Sequence, residues 1–154
     1  TRDDQQVILS ANEPGKMIDW DLNDGAVITT RGSFVAAFGS QVDIDVMIAK
    51  RTGAALFGGA GLFLQKVSGQ GNVIIHGAGD FIERHLKKDE SILVSSGNLA
   101  AFSDEIDYNI QSVASLRKIM FSGEGLFMTR LTGPGRVLLQ SLKRTSGTNE
   151  KSSS

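Results

Sequence analysis

Leu56–His76, LFGGAGLFLQKVSGQGNVIIH, and Met120–Gln140, MFSGEGLFMTRLTGPGRVLLQ, superpose without a gap at an offset of 120 − 56 = 64. Eight pairs are identical: Phe57/Phe121, Gly59/Gly123, Gly61/Gly125, Leu62/Leu126, Phe63/Phe127, Gly69/Gly133, Gly71/Gly135 and Val73/Val137. An internal repeat constrains architecture before any single motif does. Within each copy two short apolar runs, such as Leu62-Phe63-Leu64 and Val73-Ile74-Ile75, flank a Gly-containing link. That pattern predicts a β-hairpin, and Gly133-Pro134-Gly135 predicts a type II turn at its tip. The paired glycines are also where a bulge or a close backbone approach is expected.

The repeat extends upstream. Val42–Val46 lies 64 residues before Ile106–Ile110, both alternating apolar and polar, and Ala36-Ala37-Phe38 matches Ala100-Ala101-Phe102 at the same offset. Asp24–Gly32 matches Asp89–Gly97 at 65. The unit is about 64 residues with several short strands, too long for a many-copy solenoid and suited to half of a two-layer β domain. The expectation is an all-β, two-layer sandwich in one domain, residues 1–142, with units at about 12–77 and 78–141. Residues 1–11, with Val7-Ile8-Leu9, read as the end of a preceding unit. Residues 143–154 contain no apolar side chain and are expected to be a disordered tail. Helical signal is confined to Met47–Ala55 and Gln111–Met120, read as short connectors, and Phe81–Leu86 is read as strand by analogy with Met17–Leu22.

Composition excludes several classes. With no Cys there is no disulfide framework, thiolate zinc site or cysteine nucleophile. A net charge of −1 and one Trp and one Tyr give no case for DNA and disfavour RNA. No signal peptide and no apolar run of spanning length is present in the sequence, so a cytoplasmic protein is expected. The basic cluster Arg84–Lys88, diluted by Glu83, Asp89 and Glu90, reads as solvated charge; peripheral membrane association is the other reading.

Candidate chemistry is thin. Gly59-x-Gly61, Gly69-x-Gly71 and Gly77-x-Gly79 lack the third glycine and the helix of a phosphate loop. His76 and His85 are the only imidazoles, too few for a first-row metal site, and neither stands at a readable spacing from a Ser. Asp43 and Asp45 share a strand face and read as solvated. The chain is expected to be no enzyme and to need neither metal nor cofactor. What the bland reading leaves over is Leu62, Phe63, Leu64, Leu126, Phe127 and Met128, apolar on both strand faces. A sandwich strand with one face in water should not be, so these six are the candidate interface of a homo-oligomer.

Arg31–Ala36, Leu56–Lys66, Phe121–Phe127 and Thr132–Val137 together are similar to the altered-inheritance-of-mitochondria (mitochondrial biogenesis) family, in its bacterial and archaeal branch. The similarity runs from Val7 to Leu142, with Ala60 and Ser122 departing from the family's Gly-Gly-Glu-Gly form. The resemblance implies a TRAP-like β fold, a double-stranded β-helix related in shape to the tryptophan RNA-binding attenuator. It implies no enzymatic activity and defines no catalytic or ligand residues. Chains of the family usually carry one more unit upstream, and mitochondrial members are associated with inner-membrane organisation. Two functions follow as expectations: a self-associating scaffold or assembly protein, or a binding module for a small ligand or single-stranded RNA by analogy with the attenuator fold.

Overall fold

The computed structural model describes residues 7–48, 63–112 and 127–144. Among these residues ten strands run β1 Gly15–Asp21, β2 Val27–Thr30, β3 Phe34–Ile48, β4 Phe63–Ala78, β5 Phe81–Leu86, β6 Ser91–Ser95, β7 Leu99–Ser103, β8 Asp107–Ser112, β9 Phe127–Thr132 and β10 Gly135–Gln140. Among the described residues the only helical pieces are 3-10 turns at Leu22–Asp24 and Ser96–Asn98. The chain is all-β, as its alternation and turn residues imply. The connectors expected at Met47–Ala55 and Gln111–Met120 fall largely on residues 49–62 and 113–126, which lie outside the described residues.

One seven-stranded antiparallel sheet runs β1-β4-β2-β7-β10-β5, with β3 also paired to β4; a second, three-stranded sheet runs β6-β9-β8. The sheets curl into a half-barrel. The hollow of the curl holds one apolar cluster: Trp20, Leu22, Val27, Val67, Val73, Ile75, Ala100, Ala101 and Leu138. Its strand residues all belong to the large sheet, from β1 at one edge to β10 near the other. A second cluster joins the two sheets through Ile28, Leu64, Leu99, Phe102 and Val137 on one side and Ile110 and Leu131 on the other. β2 and β7 lie between the two clusters, and β2 is buried along its whole length. For β2 the apolar residues on both faces are thus covered inside the chain, by one cluster per face.

The hairpins expected from the repeat are not formed. Phe63–Ala78 is one continuous strand, and β9 and β10 lie in different sheets, β9 against β6 and β8, β10 against β5 and β7. The glycines mark corners instead of turns. A Cβ on Gly69 would sit 1.9 Å from the Gln41 carbonyl oxygen, and one on Gly71 would sit 2.0 Å from that of Phe38. The facing backbones come too close for any side chain, which lets β3 and β4 bend together. At the second site β9 and β10 do not pair and Gly135 has φ +148°, so the link is not the type II turn expected.

Strand registers recur at the spacing of the sequence repeat. Gly15–Asp21 faces Ala78–Asn72, and Phe81–Leu86 faces Gln140–Gly135, so Met17↔His76 becomes Phe81↔Gln140 at +64 on both strands. Val27↔Val67 becomes Ile92↔Leu131 at +65 and +64. Val46↔Gln65 becomes Ile110↔Thr129 at +64 and +64. One sequence pairing is off by a residue: opposite Ile74 and Leu138 stand Ala36 and Ala101, an offset of 65 and not 64. The halves also differ in build, since the long strands β3 and β4 of the first are each divided in the second, into β7 with β8 and β9 with β10.

Candidate functional site

Three clusters of side chains stand out. The first is a buried polar network where β2, β4 and the segment after β10 meet. His76 lies within Ile75–Ala78, the buried run that closes β4, and is 2% exposed. Arg144 Nη2 lies 2.8 Å from His76 Nδ1, its Nη1 donates to Ser33 Oγ at 3.1 Å, and its Nε pairs with Glu13 Oε2 at 3.1 Å. Ser33 Oγ in turn lies 2.9 Å from Thr30 Oγ1. A guanidinium only donates, so Nδ1 is the acceptor and the ring proton sits on Nε2. Nε2 has no well-aligned hydrogen bond among the described residues. Burial, and then the neighbouring Arg144 charge, hold the His76 pKa below the ordinary 6.5; the Glu13 backbone and carboxylate oppose this more weakly. His76 is therefore neutral, closed to solvent, and a structural pin.

A pH dependence follows. A folded-state pKa below the unfolded one makes protonation unfavourable to the fold, so this contribution is complete above about 6.5 and is lost as pH falls from there towards the lowered value. Urea midpoints measured across that range should decline on acidification in the natural chain. In His76→Gln, which places in β4 the residue that Gln140 supplies in β10, the decline in that window should vanish; an unchanged slope would assign it to another group.

The second cluster lies across the edge strands. Arg136 Nη2 donates to Glu83 Oε2 at 3.1 Å while Nε lies 2.9 Å from Oε1, a charge contact without good hydrogen-bond alignment. Its Cζ stacks 4.6 Å from the centre of the Trp20 ring. His85 Nε2 lies 2.7 Å from Glu83 Oε1, and the Arg136 hydrogen bond holds the Glu83 carboxyl below the usual range. Arg136, Glu83 and His85 are thus matched to one another at the surface.

The third is apolar and open. Arg31, Val46, Phe63 and Gln65 line a depression at one end of the curl. Val46 is 69% and Phe63 42% exposed, with Ile44 beside them on β3 also exposed. The Arg31 guanidinium lies 6.0 Å from the centre of the Phe63 ring. Gln65 Oε1 is buried there with no hydrogen-bond partner among the described residues. On the outer face of the small sheet, Leu93 is 43% exposed, beside half-buried Met128 on β9.

The residues expected at an interface are divided by the structure. Phe63 is open and Met128 half-buried. Leu64 is corrected: it is fully buried in the chain's own intersheet cluster and has no surface to offer. Phe127 begins β9, and Leu62 and Leu126 lie outside the described residues. Asp43 and Asp45 are exposed on β3, as a solvated face requires. Val46 and Leu93 were missed because alternation alone assigns them no partner. Composition places Arg144 in the tail, yet it is held in the His76 network; residues 145–154 lie outside the described residues. Among the described residues no group of three or more His, Asp and Glu could hold a metal ion, and no helix is long and apolar enough to cross a membrane.

A family model, mitochondrial biogenesis AIM24, matches residues 1–142. The chain belongs to this family. A relative, the uncharacterised protein M6_Spy0233 of Streptococcus pyogenes serotype M6, is 29% identical over 140 residues, 90% of this chain and 55% of that protein. The crystal structure of protein SPYM3_0169 from Streptococcus pyogenes superposes with a TM-score of 0.70 at 24% identity, over 87% of this chain and 57% of that one. The likeness carries the fold alone. This AIM24 chain spans about half the length of both.

Proposed function

We propose that this AIM24-family chain is a non-enzymatic, self-associating β domain with a scaffold or assembly role. The observation that carries the reading is the open apolar depression around Val46 and Phe63, while the Arg136–Glu83 and Arg144–Glu13 charges are paired within the chain. Exposed β-branched and aromatic side chains beside a buried unpartnered amide oxygen favour a covering protein surface. Light scattering on the purified chain across a concentration series should give a mass above that of the 16.5 kDa monomer. Val46→Asp, at an exposed position, should weaken association at least about tenfold with thermal unfolding little changed. A monodisperse monomer at every concentration would overturn the reading.

A further inference from the structure

We infer that β6 of one chain pairs antiparallel with the N-terminal part of β3 in a second copy, Ile92 opposite Phe38, Leu93 opposite Ala37 and Val94 opposite Ala36. The inference rests on the self-association reading and names its partner and register.

The pattern for this contact lies within the chain. Its two halves are joined by β2 against β7, with Val27↔Ser103, Ile28↔Phe102 and Thr29↔Ala101. The recurring registers map β2 onto β6 at +65 and β7 onto the start of β3 at −65. Carrying the β2·β7 joint across by those offsets gives the three pairs above. Both mapped strands have an unused side: among the described residues β6 pairs only with β9, and β3 only with β4.

Side-chain burial follows the same map. Ile28, on the joint, is 2% exposed, and its counterpart Leu93 is 43% exposed. Phe38 on β3 is 47% exposed. The faces beside the strands behave alike. In the small sheet Ile110 is 2% exposed, in the cluster where Ile28 and Leu64 of the large sheet pack, and Thr129 Oγ1 lies 2.8 Å from Ser96 Oγ. Their counterparts at −64 and −65 are Val46, Gln65 and Arg31, the walls of the open depression. Docking a second copy in this register would set Leu93 and Met128 over that depression, as Ile28 and Leu64 lie over Ile110. An exposed apolar edge strand invites pairing unless it is blocked, and neither Ile92-Leu93-Val94 nor Phe34–Phe38 carries a Pro or a charge. Joining one edge to a different edge is a heterologous contact, which closes into a ring or continues as a filament.

The chain has no cysteine, so engineered pairs report contact cleanly. Neighbouring antiparallel pairs alternate in Cα spacing, and testing two adjacent ones covers both geometries. Leu93→Cys with Ala37→Cys, and separately Ile92→Cys with Phe38→Cys, should give disulfide-linked dimers and higher species on a non-reducing gel. Met17→Cys with Ile82→Cys, on the exposed parts of β1 and β5, should give none, and circular dichroism of each reduced protein verifies folding. Leu93→Lys, at an exposed site, should weaken association at least about tenfold by light scattering. Oligomers in solution with no linked species from either pair, or with equal linking in the control, would overturn the register and leave self-association standing. A monomer throughout would overturn both.

Discussion

Phe102→Ala should destabilise the chain by about 3–5 kcal/mol, read from urea unfolding monitored at Trp20. Phe102 is fully buried at the centre of the intersheet cluster, where its ring lies 5.3 Å from that of Tyr108 at an interplanar angle of 58°. It also stands opposite Ile28 in the β2·β7 joint and opposite Val137 in β10. Truncation removes the transfer free energy of the ring and leaves a void that paired strands on both sides cannot collapse to fill. Met17→Ala, a similar loss of volume on an exposed face of β1, should stay within about 0.5 kcal/mol. A cost for Phe102→Ala below about 1 kcal/mol would mean that the two sheets do not pack as described.

Gly69→Ala should cost roughly 2–4 kcal/mol, far more than one methyl group on an exposed turn. Its φ is +110°, and the added Cβ would meet the Gln41 carbonyl oxygen at 1.9 Å, so relief requires moving the backbone of two strands. Gly25→Ala is the comparison. Its φ is +123°, but nothing lies within 4 Å of an added Cβ, so it isolates the conformational cost, about 1 kcal/mol. The difference between the variants measures the corner contact alone. Equal losses would return Gly69 to the role of an ordinary turn glycine.

That comparison also shows how far the sequence could be read. Period-two alternation in Val42–Val46 and Ile106–Ile110, and the Gly-rich links, were sufficient for an all-β chain. They could not separate a hairpin from a bent strand, because Gly69 and Gly71 serve either, and the choice depends on Phe38 and Gln41, some thirty residues away, coming within backbone distance. Leu62-Phe63-Leu64 was legible as apolar on both faces. Which face the chain itself covers depends on where the small sheet lands, and it lands on Leu64 and leaves Phe63 open. Arg144 was illegible for the opposite reason: it falls in the stretch after Leu142 that has no apolar side chain, and its partners Glu13, Ser33 and His76 are distant in the chain. The open depression was half-visible, through Phe63 but not Val46.

The Glu13–Arg144 pair, 131 residues apart in the chain, brings the segment before β1 and the segment after β10 to one spot on the surface. A short loop there could join the two, and a new start could be cut elsewhere, so circular permutants opened in an exposed turn such as Lys87–Glu90 are expected to fold. By the same geometry, reporters inserted just ahead of Glu13 and just behind Arg144 would emerge side by side, within reach of each other.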